Sequence, residues 1–133
     1  MPAEKTAVRN FEDLRTFQFI NLTTFRKTGV GVVTPVWFVL EDGKLLGTTQ
    51  PDSGKMKRIR NNPTVSIAPS TARGEVLGDA VEGQARTLEP AEFKRAEAAL
   101  KRKYGLQYLL ISGMTRLRGG KRTFWEISPV KPE

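Results

Sequence analysis

The 133-residue sequence predicts a mainly β protein of the α+β class, in which six mostly antiparallel strands form a closed or partly closed barrel. Three observations predict it. Six short segments are rich in β-branched and aromatic residues or alternate in polarity. Turn signals link them as hairpins, most clearly at Asp42 and Gly43. Helical patterns are few and short. The length suits one domain, spanning residues 1–133.

The first half of the chain is predicted to place three strands after a short helix. Asn10 suits the N-cap of that helix, which covers residues 11–17 and carries apolar side chains at a spacing of three. Pro35 lies inside the long second strand and predicts an edge, a bulge or a break there, because proline donates no ladder hydrogen bond. The three strands cover residues 19–25, 30–40 and 45–50.

The second half begins with a short basic helix over residues 55–60, which Pro63 and the residue before it bring to an end. The longest helix begins at Pro90, which suits the first helical position, and ends before Gly105. Residues 107–114 are ambiguous and fit a further short helix. The three strands of this half cover residues 64–68, 79–88 and 122–128.

The composition excludes several kinds of chemistry, because the chain contains neither cysteine nor histidine. Disulfides, iron–sulfur clusters and thiolate zinc sites are excluded, and so are Ser-His-Asp triads and a histidine acid or base. No metal site is expected. If the protein is an enzyme, its chemistry must come from a bound cofactor or from carboxylates, lysine and tyrosine.

The net charge of +8 favours an anionic partner. A phosphorylated cofactor, nucleic acid and an acidic membrane face all satisfy that description. The first ten residues lack the apolar stretch of a signal peptide, and nowhere do eighteen apolar residues run together. A cytoplasmic location without a membrane span is therefore expected.

The segment at residues 48–55 has the character of an anion site. Two threonines end a strand, and a turn leads into a helix whose free N–H groups and partial positive charge suit a phosphate. Ser53 can donate a hydrogen bond, and Gly54 lets the backbone approach closely. Positive charge comes from Lys55, Lys57 and Arg58, of which the arginine can bind in bidentate fashion.

Simpler structural interpretations remain open for each segment. Asp52 or Ser53 also fits the role of a plain N-cap, with the basic residues facing water. The segment TPVWF (residues 34–38) offers freed backbone groups near its proline and an apolar wall at Trp37, but it also fits a core strand with an edge proline. The basic cluster near the C-terminus receives no role, since charge runs are usually solvated: Arg116, Arg118, Lys121 and Arg122.

Five segments, in their order and spacing, resemble the pyridoxamine-phosphate-oxidase-like split-barrel superfamily of flavin and deazaflavin proteins. More narrowly, the chain resembles the branch of deazaflavin-dependent oxidoreductases that use coenzyme F420. The likeness runs from about Phe19 to Pro129, and its middle motif, T-x-x-x-S-x-K followed by a helix and NNP, is fairly specific. The segments are LTTFRKTG (22–29), TPVWF (34–38), TTQPDSGKMKRIRNNP (48–63), APSTARG (68–74) and KRKYG (101–105).

The resemblance implies a six-stranded split barrel and a set of cofactor contacts. In the family the T-x-x-x-S-x-K element binds the cofactor phosphate, and the strand before it lines the tricyclic ring, largely through backbone atoms. Members are homodimers with each cofactor at the subunit interface. The expected cofactor-binding residues are Val33, Thr34, Pro35, Val36, Trp37, Thr49, Gln50, Ser53, Gly54, Lys55, Lys57 and Arg58.

The resemblance implies a coenzyme F420-dependent reductase that passes a hydride to a small organic acceptor, with no catalytic residue assigned. The chain lacks a counterpart of the histidine-bearing substrate segment of pyridoxamine-phosphate oxidase, so that activity is not expected. The alternatives are an FMN-dependent oxidoreductase of the same fold, a cofactor carrier without turnover, and a basic barrel that binds nucleic acid. The last is disfavoured because few aromatic residues lie beside lysine and arginine.

Overall fold

The computed structural model describes residues 6–51, 53–117 and 122–130. Within them, antiparallel strands form one curled sheet in the order β2-β1-β5-β6-β7-β4-β3. The mainly β, antiparallel architecture expected from the sequence is confirmed. The strands are β1 (Phe19–Phe25), β2 (Gly31–Val36), β3 (Val39–Glu41), β4 (Lys44–Thr49), β5 (Thr64–Ser70), β6 (Val81–Thr87) and β7 (Thr123–Pro129).

The described residues form seven strands and not six, because the stretch expected to be one strand over residues 30–40 is two. β2 pairs with β1 at one end of the sheet, whereas β3 pairs with β4 at the other. Trp37 and Phe38 carry the chain from one sheet edge to the other. Pro35 lies in β2, opposite Asn21, and β2 is an edge strand, as the proline indicated.

One side chain satisfies the backbone at this crossing. Phe38 lies between two strands, so the sheet leaves its N–H and C=O without ladder partners. The Tyr104 hydroxyl accepts from the Phe38 amide at 2.9 Å. It donates its single hydrogen to the carbonyl of Phe38 or of Gln18, at 2.7 and 2.8 Å. Trp37 stacks on the Tyr104 ring with centroids 4.4 Å apart. Burial raises the pKa of Tyr104, so the hydroxyl stays protonated.

The helices follow the sequence signals with two adjustments. The helix expected over residues 11–17 is only a 3₁₀ turn, Phe11–Leu14, with Asn10 accepting from the Asp13 amide at 3.3 Å. The ambiguous stretch after Gly105 is a helix, and Gly105 has the positive φ of 56° expected of a terminator. The helices are α1 (Gly54–Asn61), α2 (Phe93–Tyr104, preceded by a 3₁₀ turn at Pro90–Glu92) and α3 (Leu106–Leu117).

Two apolar clusters fill the two faces of the sheet. The concave face packs around Trp125 and is covered at one end by Met56 and Ile59 of α1. The outer face of β4 and β7 packs against α2. Beside this second cluster, the buried carboxylate of Glu126 accepts from Arg86 and Arg95 and so ties β7 to β6 and α2. Among the described helices, none is long and apolar enough to cross a membrane.

Replacing Tyr104 with phenylalanine tests the crossing. Tyr104→Phe keeps the ring that stacks on Trp37 but leaves the buried Phe38 N–H and C=O without their partner. We expect the free energy of unfolding to fall by about 1–3 kcal/mol, measured by urea denaturation. Tyr108→Phe is the control, because its hydroxyl donates at 3.1 Å to Glu97, which is partly exposed and can be solvated. A Tyr104→Phe protein no less stable than the control would contradict this account.

Candidate functional site

The turn between β4 and α1 holds the residues that the sequence analysis expects to bind the cofactor phosphate. Thr49 is the last residue of β4 and pairs with Thr123, while Gln50 is exposed beyond it. Ser53 is the N-cap of α1, and its Oγ accepts from the Met56 amide at 3.3 Å. The capping role left open by the sequence is therefore real for Ser53. Its hydroxyl hydrogen still remains available to a ligand. Asp52 lies outside the described residues.

Two cations lie close together at the start of α1. Burial lowers the pKa of Lys55, and the nearby Arg58 guanidinium lowers it further. No ion pair joins Lys55 to a carboxylate among the described residues. The helix N-terminus adds a third source of positive potential. A half-buried amine held in this state favours an anion beside it.

Arg58 is held in place by contacts that the sequence did not reveal. Its Nε donates to the Oγ1 of the buried Thr24 in β1 at 2.6 Å. A Cβ at Gly54 would lie 2.8 Å from the Arg58 Nη1, so the glycine lets the guanidinium lie against the first turn of the helix. Lys57, by contrast, is exposed, and its place two residues from Lys55 puts it on a different side of α1.

The expected ring-binding strand divides its side chains between the two faces of the sheet. Thr34 and Val36 pair with core residues of β1, and Val36 is buried in the concave core. Val33 is 57% exposed and lines a cavity of about 370 Å³, together with Asn21, Thr23, Ser66 and Asp79. Because β2 is an edge strand, its outer backbone groups pair with no other described strand and can meet a ligand's polar edge.

Trp37 does not join this cavity in the described structure. Its ring is stacked on Tyr104 and packs against the cluster under α2. The structure thus brings together Thr49, Ser53, Gly54, Lys55 and Arg58. It places the side chains of Val33 and Trp37 in separate surroundings.

Arg122 is a basic residue beside the end of β4 to which the sequence analysis gave no role. It precedes Thr123, the partner of Thr49, and its Nε donates to the Thr48 Oγ1 at 3.4 Å. Its buried Nη1 has no hydrogen-bond partner among the described residues. The C-terminal basic cluster was the only sequence signal for it, and the strand register was needed to place it. Arg118 and Lys121 of that cluster lie outside the described residues.

Comparison with known proteins gives a family and a shared fold. A family model described as pyridoxamine 5′-phosphate oxidase matches residues 5–131. A search of curated proteins found no match.

Several solved structures share the fold. HutZ, the heme storage protein from Vibrio cholerae, is 16% identical with a TM-score of 0.67, over 88% of this chain and 84% of that one. A conserved hypothetical protein from Mycobacterium tuberculosis is 21% identical with a TM-score of 0.65, over 87% and 75%. An F420 reductase is 16% identical with a TM-score of 0.58, over 92% and 94%. At these identities the similarity shows the fold alone.

The crowding of Lys55 and Arg58 is directly measurable. We expect the pKa of Lys55, followed by NMR of its side chain, to lie below the ordinary value of 10.5. Arg58→Met removes the neighbouring charge and should raise that pKa only partway, because burial is the larger cause. Arg60→Met, an exposed change on the same helix, should leave it unmoved. An ordinary Lys55 pKa in the unaltered protein would refute the electrostatic description of the site.

Proposed function

The chain belongs to the pyridoxamine 5′-phosphate oxidase family, and from that premise we propose that it is a cytoplasmic, coenzyme F420-dependent oxidoreductase. The proposed reaction passes a hydride to a small organic acceptor. The observation that carries the proposal is the pair Lys55 and Arg58, two adjoining cations at a helix N-terminus without a described carboxylate partner. A cofactor phosphate would supply the missing negative charge.

The proposed phosphate contacts come from one short stretch of chain. Lys55 and Arg58 provide the positive charge, and Ser53 provides a hydroxyl hydrogen at the first turn of α1. Thr49 and Gln50 flank the phosphate at the end of β4. Thr24 holds the Arg58 guanidinium in its position. Preorganised contacts of this kind bind at a lower entropic cost than flexible surface lysines do.

The proposed ring site lies along the free edge of β2, from Val33 to Trp37. There the backbone groups of Thr34, Pro35 and Val36 orient the ring, and Val33 covers part of it. When bound, the reduced deazaflavin supplies the hydride. The protein orients the acceptor and excludes water. A chain without histidine or cysteine then leaves proton delivery to solvent or to a hydroxyl.

The deazaflavin differs from FMN in carrying an anionic lactyl and polyglutamate tail beyond its phosphate. Two observations favour it. The chain has a net charge of +8, and Arg122 lies next to the strand pair that ends at Thr49, with a buried Nη1 that has no hydrogen-bond partner among the described residues. FMN on the same fold is the alternative. We further propose that the protein is a single-domain homodimer with the cofactor at the subunit interface, close to the exposed Val33.

Fluorescence titration tests the cofactor and its site together. We expect the purified protein to bind coenzyme F420 more tightly than FMN. Lys55→Ala should weaken that binding by about 1–3 kcal/mol, the cost of a lost charge-assisted contact. Arg60→Ala is the matched control, because it removes an exposed charge from the same helix.

Equal weakening by the two substitutions would reduce the site to general electrostatics. A protein that is yellow as isolated and releases flavin on denaturation would favour FMN and overturn the deazaflavin assignment. Oxidation of the reduced deazaflavin in the presence of an electron-poor acceptor separates an enzyme from a cofactor carrier.

A further inference from the structure

A second cavity, of about 510 Å³, lies between the chain after the first 3₁₀ turn, β3 and α2. None of the residues assigned above to the cofactor lines it. Its floor is apolar and its polar lining is dominated by hydrogen-bond donors. The volume lies within the range of small-molecule sites. The polar lining consists of Arg15, Thr16, Gln18, Glu41, Arg102 and Lys103.

Lys103 is the central group of this cavity. Its Nζ donates to the Phe17 carbonyl at 2.7 Å and lies 3.5 Å from the centroid of the Phe38 ring. An ammonium has three hydrogens, so this carbonyl uses only one of them. No carboxylate lies within ion-pair distance of Lys103 among the described residues. The ammonium is therefore positioned, half-buried and not neutralised.

The neighbouring charges add donors and few acceptors. Arg15 binds Glu12 through its Nε and Nη2, which leaves its Nη1 without a described partner. Arg102 binds Glu41 at 2.8 Å, and Glu41 is the one carboxylate in the described lining. Burial and the nearby Arg15 lower the pKa of Lys103 to about 8. An anion in the cavity would raise this pKa, because an opposite charge nearby stabilises the ammonium.

We propose that this cavity is a second binding site, separate from the cofactor site, for a small organic molecule that carries an oxyanion group, phosphate or carboxylate. Lys103 and Arg15 bind the oxyanion. Thr16 and Gln18 contribute neutral polar contacts, and Val39 and Leu40 pack against the organic part. The site is independent of the proposed function, because it shares no residue with the β4–α1 turn.

Amide NMR titration of the full chain with three matched probes tests the proposal. The probes are glycerol 3-phosphate, glycerate and neutral glycerol, which distinguish a phosphate site from a carboxylate site. We expect one or both anions to cause saturable shifts at Thr16, Gln18 and Leu40, and glycerol to cause none. We also expect the bound anion to raise the pKa of Lys103 above about 8, since it neutralises the charge. Glu41, Arg102 and Tyr104 are the other titratable groups facing Lys103, and their signals are followed in parallel.

Substitutions test which cation of the second cavity binds the anion. Lys103→Met retains the apolar stem and should weaken binding at least about tenfold. Lys94→Met, an exposed change on the same helix, should leave binding unchanged. If Lys103→Met fails to fold, Arg15→Gln on the exposed rim replaces it as the test, and we expect this variant to weaken anion binding several-fold.

Three results would overturn the second site. They are the absence of saturable shifts at the cavity, equal shifts with glycerol, and equal losses in the Lys103 and Lys94 variants. Anion binding confined to residues 53–58 would also overturn it while leaving the cofactor site intact. Anion binding confined to the cavity would support the second site even if the protein bound no deazaflavin.

Discussion

The fold depends on the hydrogen bonds that Tyr104 makes to the backbone of Phe38. Between β2 and β3 the chain leaves one edge of the sheet and joins the other, so one residue in the interior loses both ladder partners. An unpaired buried N–H or C=O costs roughly as much as a lost hydrogen bond. A single hydroxyl from α2 accepts from the Phe38 N–H and donates its one hydrogen to the carbonyl of Phe38 or of Gln18. The same hydrogen bonds therefore stabilise both the crossing that curls the sheet and the packing of α2 against it.

This crossing also positions both candidate sites. It makes β2 an edge strand, which leaves backbone groups free beside Val33 and lets Pro35 lie in the sheet without a missing bond. On the other side, Lys103 precedes Tyr104 in α2, so the hydroxyl that binds Phe38 brings the ammonium over the Phe38 ring. The free edge of β2, where we propose that the cofactor ring binds, and the second cavity thus lie on either side of Phe38 and Tyr104.

Local signals predicted most of the elements, because strand alternation, the Asp42–Gly43 turn and the Gly105 terminator act within a few residues. Pro35 indicated an edge, a bulge or a break in the second strand, but the crossing of the chain to the other edge of the sheet after Val36 was not predictable in this way. Its stabilising partner, Tyr104, lies 66 residues from Phe38, and the apolar stretch itself contains only Pro35 as a signal. The candidate cofactor site was likewise predictable in its local signals but not in its long-range contacts. Motif order indicated the turn at Ser53 and Lys55, whereas the Arg58 contact with Thr24 spans 34 residues and needed the tertiary fold.

A net charge of +8 does not by itself indicate where an anion binds, because that depends on which cations lack a carboxylate partner. Where charge serves the fold, it is neutralised. Buried Glu126 accepts from Arg86 and Arg95, and both arginines also lie within ion-pair distance of Glu92. Lys55 and Lys103 differ, since each is half-buried, lies near an arginine and has a lowered pKa without a described carboxylate. Leaving a desolvated cation unpaired costs stability, and folds carry such costs most often at functional sites. Among the described residues, these two half-buried lysines without a carboxylate lie at the two places that we propose as anion sites.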